Sequence, residues 1–451
     1  MLNKLMRGTT LAMLLVLLVL TACGAPPMTT TQTTAEPITA TEATADPTTE
    51  MLEEVTTEAT VEATTEATTE TTVEATADTA AAPGTPVTVG MVLVGPINDR
   101  GWSQAHFEAM TRLEQEVDGV KFIYVDKVNP ADRPNVQVPQ VVDDLVGQGA
   151  QVIITNSDDF KDGTREAAEA HPDVTFIHIS GDDVLTGQNP PNLGNMMGQM
   201  EYGKMIAGCA AALQSTTGKI AYLGPLINDE TRRLVNSTYL GARHCWTTVR
   251  NKPAAELAFK VTWIGFWFNI PGVTLDPTKV ATDFIGADYD VIISGIDTTE
   301  GIVEANKARQ AGKEVFAIPY DHIAACDISP QACLGVPYFN WFPAYKNAIQ
   351  KVQAGAWEPE WLWLAPDWTD LNNQDTTNVG FLNGPALGEA STQQLDTFIT
   401  GLGDGSINLW TGPLKFQDGA EFLAAGATAD EKQIWYMPQL LEGIEGQSAP
   451  E

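Results

Sequence analysis

From Val87 onward the chain alternates short apolar runs with stretches of helical period, and this alternation restricts the fold more than any other feature. Short runs that read as strand candidates recur at 87–94, 121–125, 151–155, 174–179 and 192–196. Others follow at 219–223, 259–263, 291–294, 315–318 and 333–336. Between them, segments such as 102–117, 138–148, 162–170, 201–213 and 230–248 gather their apolar residues on one helical face. Strands this apolar need both faces covered, and roughly ten to fifteen helical residues between them supply the cover. The pattern predicts an α/β fold of βαβ units with parallel sheets. The ~365 residues involved are too many for one core, and the strands suffice for two lobes.

The N-terminus has a different character. Lys4 and Arg7 precede an apolar run over 11–20, too short to span a bilayer and built like a secretory signal. It ends in Leu20-Thr21-Ala22-Cys23-Gly24, which resembles the lipobox of bacterial lipoproteins. Cleavage before Cys23 would leave 1–22 as a signal peptide and Cys23 as the lipidated residue. That anchor is the expected membrane attachment, on the extracytoplasmic face of the cell membrane. Residues 23–86 are almost entirely Thr, Ala, Glu and Pro, without Lys, Arg or any aromatic residue. Such a segment cannot bury enough surface to offset chain entropy, and it is expected to be a disordered tether.

The net charge is −33, and the tether accounts for only part of it. With no basic stripe to neutralise phosphates, a nucleic-acid partner is not expected, and highly anionic ligands are disfavoured. Four cysteines follow the tether. An exported, oxidising location makes them disulfide candidates, Cys326 with Cys333 above all, since they flank a Pro-containing loop. Cys209 and Cys245 fall on expected helices, where a bridge is less secure. No pair has the C-x-x-C spacing that metal or redox work would call for. Catalysis finds no support either. The histidines His106, His171, His178, His244 and His322 are scattered, and no nucleophile elbow, zinc motif or phosphate loop occurs. The chain reads as a binding protein without cofactor or metal.

In open parallel sheets, ligands sit beyond the carboxyl ends of the strands. The residues there recur as acids, amides and aromatics: Asp99 and Trp102, then Asn156 and Phe160, then Asp182, then Trp267, Asp297 and Asp321. That set suits a ligand with flat faces and several N–H or O–H donors, since rings stack and carboxylates accept. Each acid taken alone could equally cap the following helix.

The segment Gly95-Pro96-Ile97-Asn98-Asp99-Arg100-Gly101-Trp102-Ser103 resembles the opening of basic-membrane-protein-type solute-binding lipoproteins, the extracytoplasmic receptors of ABC transporters. Further similarities run in order: Glu201-Tyr202-Gly203-Lys204 with Ala207-Gly208, Gly241-Ala242-Arg243, and Trp263-Ile264-Gly265-Phe266-Trp267-Phe268 before Asp276-Pro277. Asp297, Tyr320-Asp321, Asn340-Trp341 with Tyr345, and Gly355-Ala356-Trp357 complete a series that covers roughly 87–432. The resemblance implies a type I periplasmic-binding fold, two Rossmann-like lobes joined by a three-segment hinge. It implies a ligand aromatic at Trp102, donor-binding carboxylates at Asp297 and Asp321, and Asp99 beside the aromatic. Several members bind purine nucleosides or nucleobases. This chain departs from the nucleoside-binding branch, which usually has Asn where Ser103 stands and Lys near Tyr338. A nucleobase or another small neutral heterocycle is therefore at least as well suited as a nucleoside.

Crossings are expected near Gly194, Gly335 and Gly384. They divide the chain into lobe 1 over 87–193 plus 335–384, lobe 2 over 194–334 plus 385–432, and a flexible tail over 433–451. The ligand set then comprises Asp99, Trp102, Ser103, Asn156, Phe160, Asp182, Trp267, Asp297, Asp321, Tyr338 and Trp341. An ABC permease is the expected partner of a monomeric receptor. A sugar- or amide-binding receptor of the same fold, or a surface sensor without a transport role, remains the alternative.

Overall fold

The structure, a computed structural model, describes residues 84–450. The expected signal segment, the lipidation site Cys23 and nearly all of the expected tether lie outside the described residues.

The first half builds strands and helices in strict alternation. β1 (Val87–Val92) leads to α1 (Trp102–Glu116), β2 (Val120–Val125) to α2 (Val138–Gly147), and β3 (Val152–Thr155) to α3 (Lys161–Ala170). β4 (Thr175–Ile179), the single turn α4 (Asp183–Thr186) and β5 (Leu193–Gly198) complete this part. The chain then crosses into α5 (Met200–Gln214), β6 (Lys219–Gly224), α6 (Asp229–His244), β7 (Ala258–Trp263), α7 (Pro277–Gly286), β8 (Val291–Ser294), α8 (Glu300–Gln310) and β9 (Phe316–Ile318). β10 (Gly335–Phe339) carries it back to α9 (Phe342–Gln353) and β11 (Trp361–Leu364), and β12 (Val379–Asn383) forward again to α10 (Glu389–Gly403). The short β13 (Leu414–Lys415), β14 (Glu421–Leu423), α11 (Glu431–Trp435) and β15 (Ile444–Glu445) close the order.

Two parallel sheets result, one ordered β11-β5-β4-β3-β1-β2 and the other β15-β7-β6-β8-β9. Every residue of β3 (VIIT) and of β8 (VIIS) is buried, as expected of strands with helices on both faces. Local sequence sets the helix starts. Asn228 and Thr231 form a reciprocal capping box on α6, and Asp276 caps α7 ahead of Pro277. α5 and α6 cross closely at two glycines. A Cβ on Gly208 would lie 1.9 Å from the Thr238 carbonyl oxygen, and one on Gly241 would lie 2.0 Å from that of Met205. The disulfide Cys209–Cys245 ties α5 to the π-turn that follows α6, and Cys326–Cys333 closes the expected small ring, with Cα atoms 5.1 and 5.5 Å apart.

The architecture is the type I periplasmic-binding fold, two Rossmann-like lobes joined by three crossings. Two boundaries differ from expectation. Gly194 lies inside β5, paired with Ile177, so the first crossing comes after Gly198. The antiparallel pair β10-β12 belongs to neither parallel sheet: Gly335 and Asn383 pair at one end, next to Gly384, and Phe339 and Val379 at the other. Residues 433–450 are not a free tail. β15 adds a parallel edge to β7, and Trp435, Met437, Leu440, Leu441 and Ile444 are buried.

Candidate functional site

Between the lobes lies a cavity of about 310 Å³, lined by strand-end residues from both sheets. The first lobe contributes Val94, Trp102, Asn156, Ser157, Asp158 and Ser180. The second contributes Glu230, Trp267, Asp297, Tyr320 and Asp321. Trp102, Asn156, Trp267, Asp297 and Asp321 thus come together as the sequence pattern anticipated.

Their positions have local causes. Trp102 opens α1, and its ring meets Phe339 and Trp341 edge-on at 5.1 and 5.4 Å while its indole N–H donates to the Asn156 carbonyl oxygen. The Asn156 side-chain oxygen accepts from the Val94 N–H at 2.9 Å, which leaves its amide nitrogen buried without a partner. Asp321 sits at the tip of a three-residue turn, with the His322 N–H donating to the Tyr320 carbonyl oxygen at 2.9 Å and φ at 70°. This left-handed turn is rare for a residue with a side chain, and such strain collects at functional sites. Neither Asp321 carboxylate oxygen meets a hydrogen-bond partner, and the side chain is fully buried. A buried orphan of this kind is costly unless a ligand satisfies it.

Charge is concentrated here. Burial pushes the Asp297 and Asp321 carboxyls well above the usual carboxylate range, and each feels the charge of Asp99 and Glu230 in the same direction. Burial also raises Glu230 to about 7, against the opposing pull of Arg233. Beneath the Tyr320–Asp321 turn, the Lys204 ammonium donates to the Ser294 carbonyl oxygen at 2.7 Å and lies 3.2 Å from the Tyr320 ring centroid. Burial lowers Lys204 to about 7, with Asp321 acting the other way.

The lobes are shut over this cavity. Gly101 presses on the second lobe so closely that a Cβ there would lie 1.9 Å from the Asp297 carbonyl oxygen. Around the rim, the Asn228 amide donates to Asp158 at 3.1 Å, the Tyr436 hydroxyl to Asp182 at 2.9 Å, and His322 meets Glu108 at 3.0 Å.

Six anticipated residues lie elsewhere. Asp99 accepts the backbone N–H groups of Gly101, Ser103 and Gln104 at 2.8, 3.0 and 3.1 Å, so its carboxylate is spent on the start of α1. The Ser103 hydroxyl accepts from the Gly95 N–H at 2.9 Å. Phe160 is buried in the first core. Asp182 pairs with Lys161 in the wider cleft outside the cavity. Tyr338 is held by Asn372 and Gln374, and Trp341 stacks on His106 behind Trp102. Glu230 was not anticipated, because an acid in the first turn of a helix reads as a partner of the helix dipole.

These carboxyls give the ligand-free protein a defined pH response. Unfolded Glu230 releases its proton near 4.5 and the native group near 7, so in that window the native state holds more protons and stability falls as pH rises. The shift corresponds to roughly 3 kcal/mol. Asp99, raised to about 6 by burial, acts in the same direction from 3.8 upward. Lys204 works oppositely, because its native form loses the proton near 7 and its unfolded form near 10.5, so stability recovers above neutrality. Urea titrations should therefore place ligand-free stability higher at pH 5 than at pH 7. A flat profile over that interval would contradict the electrostatic account.

Comparison with known proteins identifies the frame of this site. The family model described as ABC transporter substrate-binding protein, PnrA-like, matches residues 86–248. Over these residues the chain is similar to Bmp-family substrate-binding proteins. A purine-binding protein of Brucella abortus is 26% identical over 358 residues, 79% of this chain and 92% of its own. A Haloferax volcanii protein, whose name assigns it to glucose binding by an ABC transporter, is 24% identical over 366 residues, 81% of this chain and 82% of its own. Among solved structures, an ABC solute-binding protein from Aeropyrum pernix aligns with TM-score 0.57 at 13% identity, over 73% of this chain and 93% of its own. One from Conexibacter woesei aligns with TM-score 0.52 at 18% identity, over 71% and 98%. Both speak for the fold alone. The cavity lies between the two lobes of this fold, at the ends of strands from both sheets.

Proposed function

We propose that the protein is the receptor of an ABC importer that captures a small heterocycle, a purine nucleobase in preference to a nucleoside, between its closing lobes. The observation that carries this reading is the unpaired polar set inside the cavity. Two carboxylate oxygens of Asp321 lack donors and the Asn156 amide lacks an acceptor, beside the indoles of Trp102 and Trp267. A purine edge offers amino or ring N–H donors next to ring-nitrogen acceptors, and its faces stack on indoles. The side chains at the two departures from the nucleoside-binding branch, Ser103 and Tyr338, are both occupied by internal hydrogen bonds. The purine-binding name of the Brucella relative supports the same reading.

A sugar is the second reading. The name of the Haloferax relative favours it, and carboxylates with indole faces also suit a pyranose. Acylation at Cys23 would hold this monomeric receptor at the outer face of the cell membrane, on a tether, within reach of its permease. Thermal unfolding with adenine, adenosine and glucose separates the readings. Adenine at a hundred times its dissociation constant should stabilise by ~2.7 kcal/mol. Stabilisation by glucose alone would transfer the assignment to the sugar, and no response to any base or nucleoside would end the purine reading.

A further inference from the structure

Every charged side chain that lines the cavity is an acid: Asp158, Glu230, Asp297 and Asp321. The nearest cations are already engaged. Lys204 is bonded to the Ser294 carbonyl oxygen and lies against the Tyr320 ring, and the Arg233 guanidinium is paired with Glu201 at 2.5 Å. Asp321 stays fully buried with both oxygens unpartnered. Beside a neutral ligand the buried acids would keep their protons, as burial favours. A cationic ligand would pair with their ionised forms, and charge-assisted hydrogen bonds are about twice as strong as neutral ones.

Two further observations point the same way. Trp102 and Trp267 line the cavity, and indole is the best of the aromatic rings for a cation. Outside the cavity, and sharing Asp158, Ser180 and Glu230 with it, lies a wider cleft of about 1000 Å³ that adds Asp159, Asp162, Asp182 and Asp229. Its cations, Lys161 and Arg233, are bound to Asp182 and Glu201. An acid-lined approach of this kind concentrates cations and repels anions. The unpartnered Asn156 amide adds one requirement, an acceptor atom on the ligand away from its charge.

We propose that the natural ligand is a flat ring system bearing a positive charge on its donor edge, an amidinium or a ring-protonated heterocycle. This rests on the reading of the cavity as a solute site and adds the charge of the solute. It departs from the neutral solute that the sequence pattern suggested, because the burial of Glu230, Asp297 and Asp321 around one enclosure is visible only in three dimensions.

Benzamide and benzamidine test it, since they share a shape and differ in charge at pH 7. Calorimetric titration of the full chain should show benzamidine bound at least about tenfold more tightly. Asp321→Asn and Glu230→Gln, on different elements, should each narrow that ratio by about tenfold, with circular dichroism reporting that each variant is folded. Benzamidine bound no more tightly than benzamide, binding by neither included, overturns the proposal. Adenine in the same titrations judges the purine reading separately. If adenine binds and benzamidine has no advantage, the purine reading stands and the charge assignment falls. If benzamidine binds and adenine is refused, the reverse holds.

Discussion

Alanine at Gly101 is expected to weaken ligand binding by at least about a hundredfold, roughly 2.7 kcal/mol, while leaving the unfolding of the ligand-free protein nearly unchanged. Gly101 caps α1 where the first lobe meets the second, and the added methyl carbon would fall 1.9 Å from the Asp297 carbonyl oxygen. The obstruction is backbone, so no side-chain rotation relieves it. The lobes must part, and parting separates Trp102 and Asn156 from Asp297 and Asp321, the groups a ligand bridges. The open form keeps each core intact, which is why stability should change little. Apparent affinity falls by the fraction of molecules able to close. Titration calorimetry with the ligand found by thermal screening, together with urea unfolding of the ligand-free variant, reads both quantities. An affinity within a few-fold of the parent would mean that binding does not require this contact.

Much of the scaffold was legible because its physics is local. Parallel strands covered on both faces must be continuously apolar, and β8 falls on the anticipated residues 291–294. Helix ends were less exact: the helix expected through Thr248 stops at His244 and continues as a π-turn over Cys245–Val249, where Cys245 is bridged to Cys209. The C-terminal segment escaped notice for a different reason. Its apolar residues Met437, Leu440, Leu441 and Ile444 have the i, i+3, i+4, i+7 spacing of a helix yet form none, and they are buried because β15 docks on the edge of a sheet formed some two hundred residues earlier.

The site was half legible on the same logic. The rule that ligands lie beyond strand ends selects a region, and Trp102, Asn156, Trp267, Asp297 and Asp321 fall within it. It does not say which way a side chain turns. Asp99 turns back onto three backbone N–H groups of α1, an outcome indistinguishable in sequence from a ligand carboxylate. Tyr338 and Trp341 follow the family order, yet Trp341 stands behind Trp102 and Tyr338 is bonded to Asn372 and Gln374. Glu230 reaches the cavity because the start of α6 abuts it, a long-range fact with no local signature.

Trp102→Ala should produce the largest combined loss. The ring is 8% exposed, packed edge-on against Phe339 and Trp341, and hydrogen-bonded through its N–H to Asn156. Truncating a buried tryptophan typically costs ~3–5 kcal/mol of stability. The face toward the cavity adds a stacking contribution of ~1–3 kcal/mol to binding, so affinity should drop roughly ten- to a hundredfold. Trp102→Phe separates the two roles, since it keeps a ring for stacking and packing but removes the N–H that fixes the Asn156 carbonyl. That variant should retain most of the affinity and lose about 1 kcal/mol of stability. Calorimetry and denaturant unfolding on the same preparations decide the matter. If Trp102→Ala unfolds early but binds as tightly as the parent, the residue is core alone, and stacking must be assigned to Trp267, which faces the same cavity from the second lobe.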